Sequence, residues 1–344
     1  MTVKGFSIVT ETDKHRQARK RRKARKKARE FSQSLSVRFL AALFSLLSWP
    51  LAWLPLSIGL AFGGLVGRLA FTLLSARRKV AVDNIEMVRE GGCLDPAIDP
   101  VKTARASFIN MGRSGWEAIR FYHRGLEPFL PYCSAESGAE YLAEALKEAE
   151  DNGRGLMLVT GHIGNWEVMC HYLPWFFNCK LSIVGRSLGS PLANLLVSRM
   201  RTDLGNDFIY KKGGAKQMLK VLRHGGVLGT LIDQAAMVNN EGIAAPFLGR
   251  EAMTNAGPLR LAQRTGVRVI MTLFRREGAH HLMTVLPPLE LHDKSEDPEK
   301  ALREDIVKLN EDLGEYICRY PEQWLWGHKR WKLPRDKHNR RPSA

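Results

Sequence analysis

The chain has 344 residues, 44% of them hydrophobic, so it can bury a sizeable core as one large domain or two small ones. Its formal charge is +17, of which +9 falls within residues 1–30, an imbalance that suits polyanionic partners: nucleic acid, anionic lipid or an acidic protein. Five cysteines without a CxxC pair give neither a disulfide framework nor zinc-ligand spacing, and they read as small core residues in a reducing compartment.

The basic stretch His15–Arg29 has no hydrophobic periodicity and is expected to be disordered or to form an interfacial helix. No short apolar segment with a small-residue cleavage site follows it cleanly, so a signal peptide is not expected. From Phe39 to Gly67 there is no charged residue, a run of 29 positions and longer than the roughly 20 that span a bilayer. Pro50 and Pro55 interrupt the run, and Trp49 and Trp53 flank the first of them, as suits a membrane interface. Two pictures follow: a spanning helix over part of the run, or a bent pair of helices lying in the surface. Positive charge flanks both ends, with Arg68, Arg77, Arg78 and Lys79 after it, so charge alone does not orient the body.

Helical spacing continues over Lys79–Arg89 and residues 101–123, and Leu142–Ala149 form a shorter helix. From residue 153 strands and helices alternate. Strands are expected at 155–160, 181–185, 207–210, 226–232, 267–274 and 281–286. Helices are expected at 166–177, 190–203, 214–224, 255–265 and 297–318. This rhythm predicts an α/β fold: a mixed, mostly parallel sheet flanked by helices, preceded by a membrane-associated helical segment. The division expected is a disordered basic tail at 1–34, a membrane-spanning or membrane-embedded segment at 35–75, one catalytic domain at 76–335 and a polar tail at 336–344.

The stretch Leu156–Glu167 concentrates the chemistry. An apolar run ends in Thr160-Gly161, His162 follows, and Glu167 stands five residues later. On one regular helix five residues turn the chain by about 500°, which leaves the two side chains roughly 140° apart. They can cooperate only if His162 lies in a turn and Glu167 in the first turn of the following helix. Gly161 and Gly164 favour that turn, Asn165 is a suitable N-cap, and a carboxylate suits the helix start. Glu167 would then accept a hydrogen bond from one ring nitrogen and leave the other as a general base. The alternative is a buried histidine beside a helix-start glutamate.

Later strand ends carry Arg186 and Asp233-Gln234, with Arg199 and Arg201 near a helix end and Pro246-Phe247-Leu248-Gly249 in a loop. In a parallel sheet these strand ends share the edge that carries His162. Arginines suit phosphate, and Asp233 would hold one of them or a substrate group; singly, each arginine is equally well a solvated surface charge. The segment Pro321–Lys332 interleaves aromatics with bases, a pattern that by itself fits nucleic acid or an anionic membrane surface.

Taken together these residues resemble the bacterial lipid A late acyltransferases within the lysophospholipid acyltransferase superfamily. The matching features are Arg78–Ile85, His162-Ile163-Gly164-Asn165-Trp166-Glu167, Arg186, Arg199-x-Arg201, Asp233-Gln234, Pro246–Gly249 and Gln323-Trp324-Leu325-Trp326-x-His328, in the family's order from about residue 35 to 332. The resemblance implies an inner-membrane enzyme with its active site on the cytoplasmic side. It implies acyl transfer from acyl carrier protein or acyl-CoA to a hydroxyl of a phosphorylated glycolipid, a lipid A precursor. On that reading His162 is the general base, Glu167 orients it, and Asn165, Arg186, Arg199, Arg201, Asp233 and Gln234 bind substrate. The thioester is attacked directly, with backbone N–H groups around Gly164 as candidate oxyanion donors. No metal or organic cofactor is required, the anionic membrane surface is a partner, and nucleic acid is not. The long basic tail and the prolines depart from the family pattern. The alternatives are another glycolipid or lysophospholipid as acceptor, or a basic membrane-binding protein without catalysis.

Overall fold

A computed structural model of the chain describes residues 34–202, 204–236, 242–292 and 297–331. The basic tail as far as residue 33 and the polar tail expected at 336–344 lie outside them. Tertiary contacts divide the chain into two units. One takes the chain up to Ser48 together with Leu188–Leu196. The other, Trp49–Ser187 with Val197–Ala344, holds the sheet and the residues of the candidate site.

The uncharged run forms two helices, α1 (Ser34–Ala52) and α2 (Leu56–Leu73), both long and apolar enough by composition to cross a membrane. The break between them falls at Pro55, whose ring fixes φ and whose missing N–H is harmless at a helix start. Helices α3 (Ser75–Glu90) and α4 (Pro100–Arg124) follow. The start of α4 is set by Asp99, which accepts hydrogen bonds from the Val101 and Lys102 amides, with Pro100 in the first turn. The same device, Asp297 followed by Pro298, starts α10 (Pro298–Arg319).

The sheet has seven strands: β1 (Cys133–Ser137), β2 (Leu156–Thr160), β3 (Leu181–Gly185), β4 (Asp207–Tyr210), β5 (Val227–Leu231), β8 (Arg268–Glu277) and β9 (His280–Val285). Their order is β1-β9-β8-β2-β5-β3-β4. Strands β8, β2, β5, β3 and β4 are mutually parallel, β9 runs antiparallel to β8, and β1 runs parallel to β9. Helices α5 (Ala139–Asn152), α6 (Trp166–Phe176), α7 (Pro191–Thr202), α8 (Ala215–Arg223) and α9 (Gly257–Thr265) connect the strands. All five residues of β2 are buried, as expected for a strand covered on both faces, and this is why its sequence is a continuous apolar run rather than an alternation. One face packs Met157, Val159 and Leu228 against Leu222, Leu259 and Leu313. The other packs Leu156, Leu158 and Ile270 against Phe121, Leu142 and Tyr172.

The expected strands and helices fall within a few residues of those observed. Among the strands, β1 and a hairpin were not anticipated. β1 is short and largely exposed, and carries little hydrophobic pattern. The segment around Pro246–Gly249, expected as a loop at the site, is the tip of a hairpin between β6 (Gly242–Phe247) and β7 (Arg250–Asn255). Leu248 and Gly249 both take positive φ, 49° and 75°, the conformation a two-residue hairpin turn needs. Phe247 is buried against Trp324 and Trp331, under the Arg330 guanidinium, so this motif builds core.

Candidate active site

Strands β2 and β5 are neighbours in register, with Thr160 opposite Leu231. His162 and Asp233 each lie two residues past that pair, and the parallel geometry brings them together at the carboxyl edge of the sheet. His162 Nδ1 is 2.7 Å from Asp233 Oδ1, and the His162 backbone N–H donates to Asp233 Oδ2, also at 2.7 Å. The Trp324 indole N–H donates to the same Oδ2 at 2.8 Å. Burial alone would raise the Asp233 carboxyl, but the His162 imidazole, the His162 backbone N–H and the Trp324 indole N–H outweigh it and hold it at about 2. An ionised Asp233 fixes the proton of His162 on Nδ1 and leaves a lone pair on Nε2. The Gln234 amide nitrogen lies 3.3 Å from that Nε2.

Here the structure corrects the sequence reading. Glu167 is not the observed partner of the imidazole. Its carboxylate is paired with Arg201, at 3.0 Å from Nε and 2.5 Å from the terminal nitrogen, and accepts the Trp166 indole N–H at 3.0 Å. Burial would raise Glu167, but the Arg201 guanidinium overrides it and holds the carboxyl below its ordinary value. Glu167 reaches His162 only through Trp166, whose ring meets the imidazole edge-to-face at 4.9 Å. The reason is geometric: Glu167 begins α6 on the side facing α7, whereas Asp233 arrives directly from the neighbouring strand.

Asn165, expected to bind substrate, is 1% exposed and engaged at both ends of its side chain. Its oxygen caps α6 by accepting from the Val168 amide at 3.1 Å, as expected of an N-cap. Its nitrogen donates to Glu117 Oε2 at 2.6 Å. Glu117 is buried on α4, pairs with Arg276 and accepts from His281 at 3.0 Å. Despite a desolvation that would raise it, the Arg276 guanidinium and the hydrogen bonds from Arg276 and His281 hold it well below the usual carboxylate range. Asn110 and Ser114, also on α4, donate to the Gly164 carbonyl. Gly164 has φ +59°, and a Cβ there would strike the Phe274 carbonyl, so only glycine fits. The Gly164 N–H, a candidate oxyanion donor, instead donates to the Gln323 carbonyl at 3.1 Å. The His162 turn is thus braced from beneath by a buried polar network, which holds the imidazole in one orientation.

Arg186 is exposed and reaches the Ala235 carbonyl at 3.4 Å, beside Asp233 and Gln234. Arg201 serves Glu167. Arg199 faces the other way, its guanidinium 5.8 Å over the Tyr122 ring. Cys170 is raised by burial and donates its S–H to the Glu167 carbonyl, which does not suit a nucleophile.

By its aromatics and bases alone the segment Pro321–Lys332 fitted nucleic acid or an anionic membrane surface; within it, residues 323–328, also part of the family resemblance, form one wall of the site. Ile163 and Trp324 make an isolated antiparallel bridge, and the Leu325 amide donates to the His162 carbonyl at 3.1 Å. His328 Nε2 accepts the Ala235 N–H at 3.1 Å, and burial, the largest influence on it, keeps the ring's pKa low. Asn84 on α3 ties the carbonyls of Trp326 and His328 at 2.8 and 2.9 Å. The signal in the sequence was the density of tryptophan near a histidine, but nothing local says that such a segment returns to a strand 160 residues earlier.

Beside this wall an apolar cavity of about 770 Å³ runs alongside the contact of α2 with α4. Gly63, Gly67, Phe108, Gly112 and Gly115 line it, and Leu325 and His328 form its end at the site. Its size is within the range of small-molecule sites.

Residues 26–333 match the family described as bacterial lipid A biosynthesis acyltransferase. The chain is similar to the lipid A biosynthesis lauroyltransferase of Escherichia coli (strain K12), 23% identical over 83% of this chain and 88% of the relative. It is also similar to the phosphatidylinositol mannoside acyltransferase of Mycolicibacterium smegmatis (strain ATCC 700084 / mc(2)155), 23% identical over 69% of this chain and 74% of the relative. With a match across nearly its whole length, the chain belongs to the bacterial lipid A biosynthesis acyltransferase family and is an acyltransferase.

Proposed function

We propose that the protein transfers a fatty acyl chain from the thioester of acyl carrier protein or acyl-CoA to a hydroxyl of a phosphorylated glycolipid, a lipid A precursor, at the cytoplasmic face of the bacterial inner membrane. The observation that carries this reading is His162, oriented through Nδ1 by ionised Asp233 and bonded through its carbonyl to the amide of Leu325, which lines an apolar cavity of about 770 Å³. The acceptor hydroxyl displaces Gln234 from Nε2 and gives its proton to that nitrogen. Its oxygen attacks the thioester carbonyl carbon, the C–S bond breaks, and the departing sulfur recovers the proton from His162. Asp233 stabilises the imidazolium that forms between these events. Arg186 supplies positive charge at the mouth for the acceptor's phosphate or the developing oxyanion. Arg201 and Glu167 hold the start of α6 in place, and the apolar cavity takes one acyl chain. Arg199, over Tyr122, is assigned to the outer binding surface. The +17 charge suits an acidic carrier protein, an anionic acceptor and an anionic leaflet.

The name of the mycobacterial relative supports a broader acceptor class, a phosphorylated glycolipid other than lipid A, served by the same dyad. The test is acyl transfer by purified enzyme from acyl carrier protein and from acyl-CoA, with a lipid A precursor and a phosphatidylinositol mannoside as competing acceptors. His162→Ala is expected to lose about 10²–10⁴-fold while staying folded and membrane-bound. Substantial transfer by that variant would overturn the mechanism.

A further inference from the structure

By length and composition α2 qualifies to cross a bilayer, and its 18 residues extend about 27 Å. We propose that it does not cross. It lies along one anionic leaflet, with one face immersed among the acyl chains and the other fused to the catalytic domain. This rests on the reading of the chain as an enzyme of membrane lipid.

The two faces of α2 differ by residue size. Ile58, Phe62, Leu65, Leu69 and Leu73 are exposed and recur at helical spacing along one side. Gly59, Gly63, Gly64 and Gly67 are buried on the other. The glycine side lies directly on α4. A Cβ at Gly63 would be 2.7 Å from the Gly112 carbonyl, one at Gly67 would strike that of Phe108, and one at Gly59 would overlap the Trp116 ring. Phe71 and Phe108 continue the contact edge-to-face at 5.5 Å. The two backbones therefore run together along the whole of α2, and whatever depth α2 takes, α4 takes with it.

Helix α4 is unfit for hydrocarbon. Arg113 lies beside the middle of α2, where its Nε is 3.5 Å from the place a Cβ on Gly64 would occupy. That nitrogen is buried without a hydrogen-bond partner among the described residues. Asn110, Ser114 and Glu117 on α4 bind the Gly164 carbonyl and Asn165, so the His162 turn is one helix diameter away. A spanning α2 would carry Arg113, Glu117 and Arg276 into the depth of the hydrocarbon, together with a catalytic turn that must meet an aqueous thioester donor. An in-plane α2 avoids this. Its apolar face enters the acyl-chain boundary and the charged domain stays in water, the arrangement of an interfacial amphipathic helix. Charge supports an anionic leaflet as the occupant of this face. Exposed Arg68, Arg77, Lys79 and Arg105 surround the end of α2, and at its start Arg124 stacks 4.4 Å over the exposed Trp53.

The test places a nitroxide on the outward face at Ile58→Cys, Leu65→Cys and Leu73→Cys in the full chain, bound to vesicles of mixed neutral and anionic phospholipid. The unmutated chain is labelled in parallel to subtract its own thiols. Depth is read from relaxation by oxygen against a water-soluble nickel chelate. The expected result is a similar shallow depth at all three positions, just beneath the headgroups. Leu65 near the bilayer centre with Ile58 and Leu73 at opposite headgroup layers would overturn the proposal, as would full access of all three to the nickel chelate. Depth is read without turnover, so this outcome is independent of the His162 assay.

Discussion

The exchange Asp233→Asn separates the observed dyad from the one that residue spacing suggests. Three N–H donors, at 2.7, 2.7 and 2.8 Å, converge on the two Asp233 oxygens. Asparagine offers one oxygen. If its amide nitrogen faces His162 Nδ1, the imidazole must move its proton to Nε2 and ceases to be a base; the corresponding exchange in a serine-protease triad costs about 10⁴-fold. If the nitrogen faces the other way, the His162 amide and the Trp324 indole lose their acceptor, at about 1–3 kcal/mol for each buried donor. The variant is therefore expected to lose about 10²–10⁴-fold in kcat or to fall measurably in Tm, and nitrogen NMR of His162 tells which. Glu167→Gln is the comparison. Glutamine keeps an oxygen for Arg201 but removes the charge. The range for breaking a buried pair is about 3–5 kcal/mol, reduced here because the side chains are 12% and 19% exposed and one hydrogen bond survives. Its effect should appear in Tm, with far less in kcat. The assay is single-turnover transfer with melting curves on the same preparations. Glu167→Gln as inactive as His162→Ala, alongside an Asp233→Asn that keeps most activity, would refute the assignment.

Gly115 lines the apolar cavity, and a Cβ there meets nothing within 4 Å. Gly115→Leu should fill one end without unfolding α4 and shift donor preference to chains shorter by a few methylenes, each worth about 0.8 kcal/mol; an unchanged chain-length profile would exclude this cavity as the acyl site. Gly112→Ala, one turn earlier, is the contrasting case, since its Cβ would strike the Gly63 carbonyl and part α2 from α4. His171 stacks on Phe121 at 4.1 Å, and neither ring nitrogen has a hydrogen-bond partner among the described residues. Burial, the dominant influence, pushes it down to about 4 from an ordinary 6.5. The unfolded chain therefore takes up a proton there before the folded one does, so His171's contribution is complete above pH 6.5 and declines as pH falls towards 4, by about 3 kcal/mol in all. His171→Phe should flatten the acid limb of stability in denaturant titrations at pH 7.5 and 4.5, and parallel slopes for both proteins would contradict it.

Local pattern was enough for much of this protein. The apolar run of β2, the glycines around His162, the Asn165 cap and the alternation beyond residue 153 are each decided by a few neighbouring residues, and they predict the elements and the turn that carries the histidine. The charge-free run likewise betrays its apolar character, and Pro55 its break. Partner choice was not legible in the same way. His162 has a carboxylate five positions away in the chain and another 71 positions away, and sequence spacing favours the nearer one. Strand pairing decides otherwise, because β2 and β5 are adjacent and in register, which delivers Asp233 to the imidazole and leaves Glu167 to Arg201. The same holds for the segment from Gln323 to His328, whose aromatics and bases alone leave nucleic acid and a membrane surface open until the fold returns them to the His162 turn. It holds also for α2, whose composition leaves a spanning and a surface-lying helix equally open and says nothing of the four glycines that press it against α4. Composition and periodicity report what a residue will bury, whereas the contact it makes depends on which distant backbone lies beside it, and only the tertiary structure decides that.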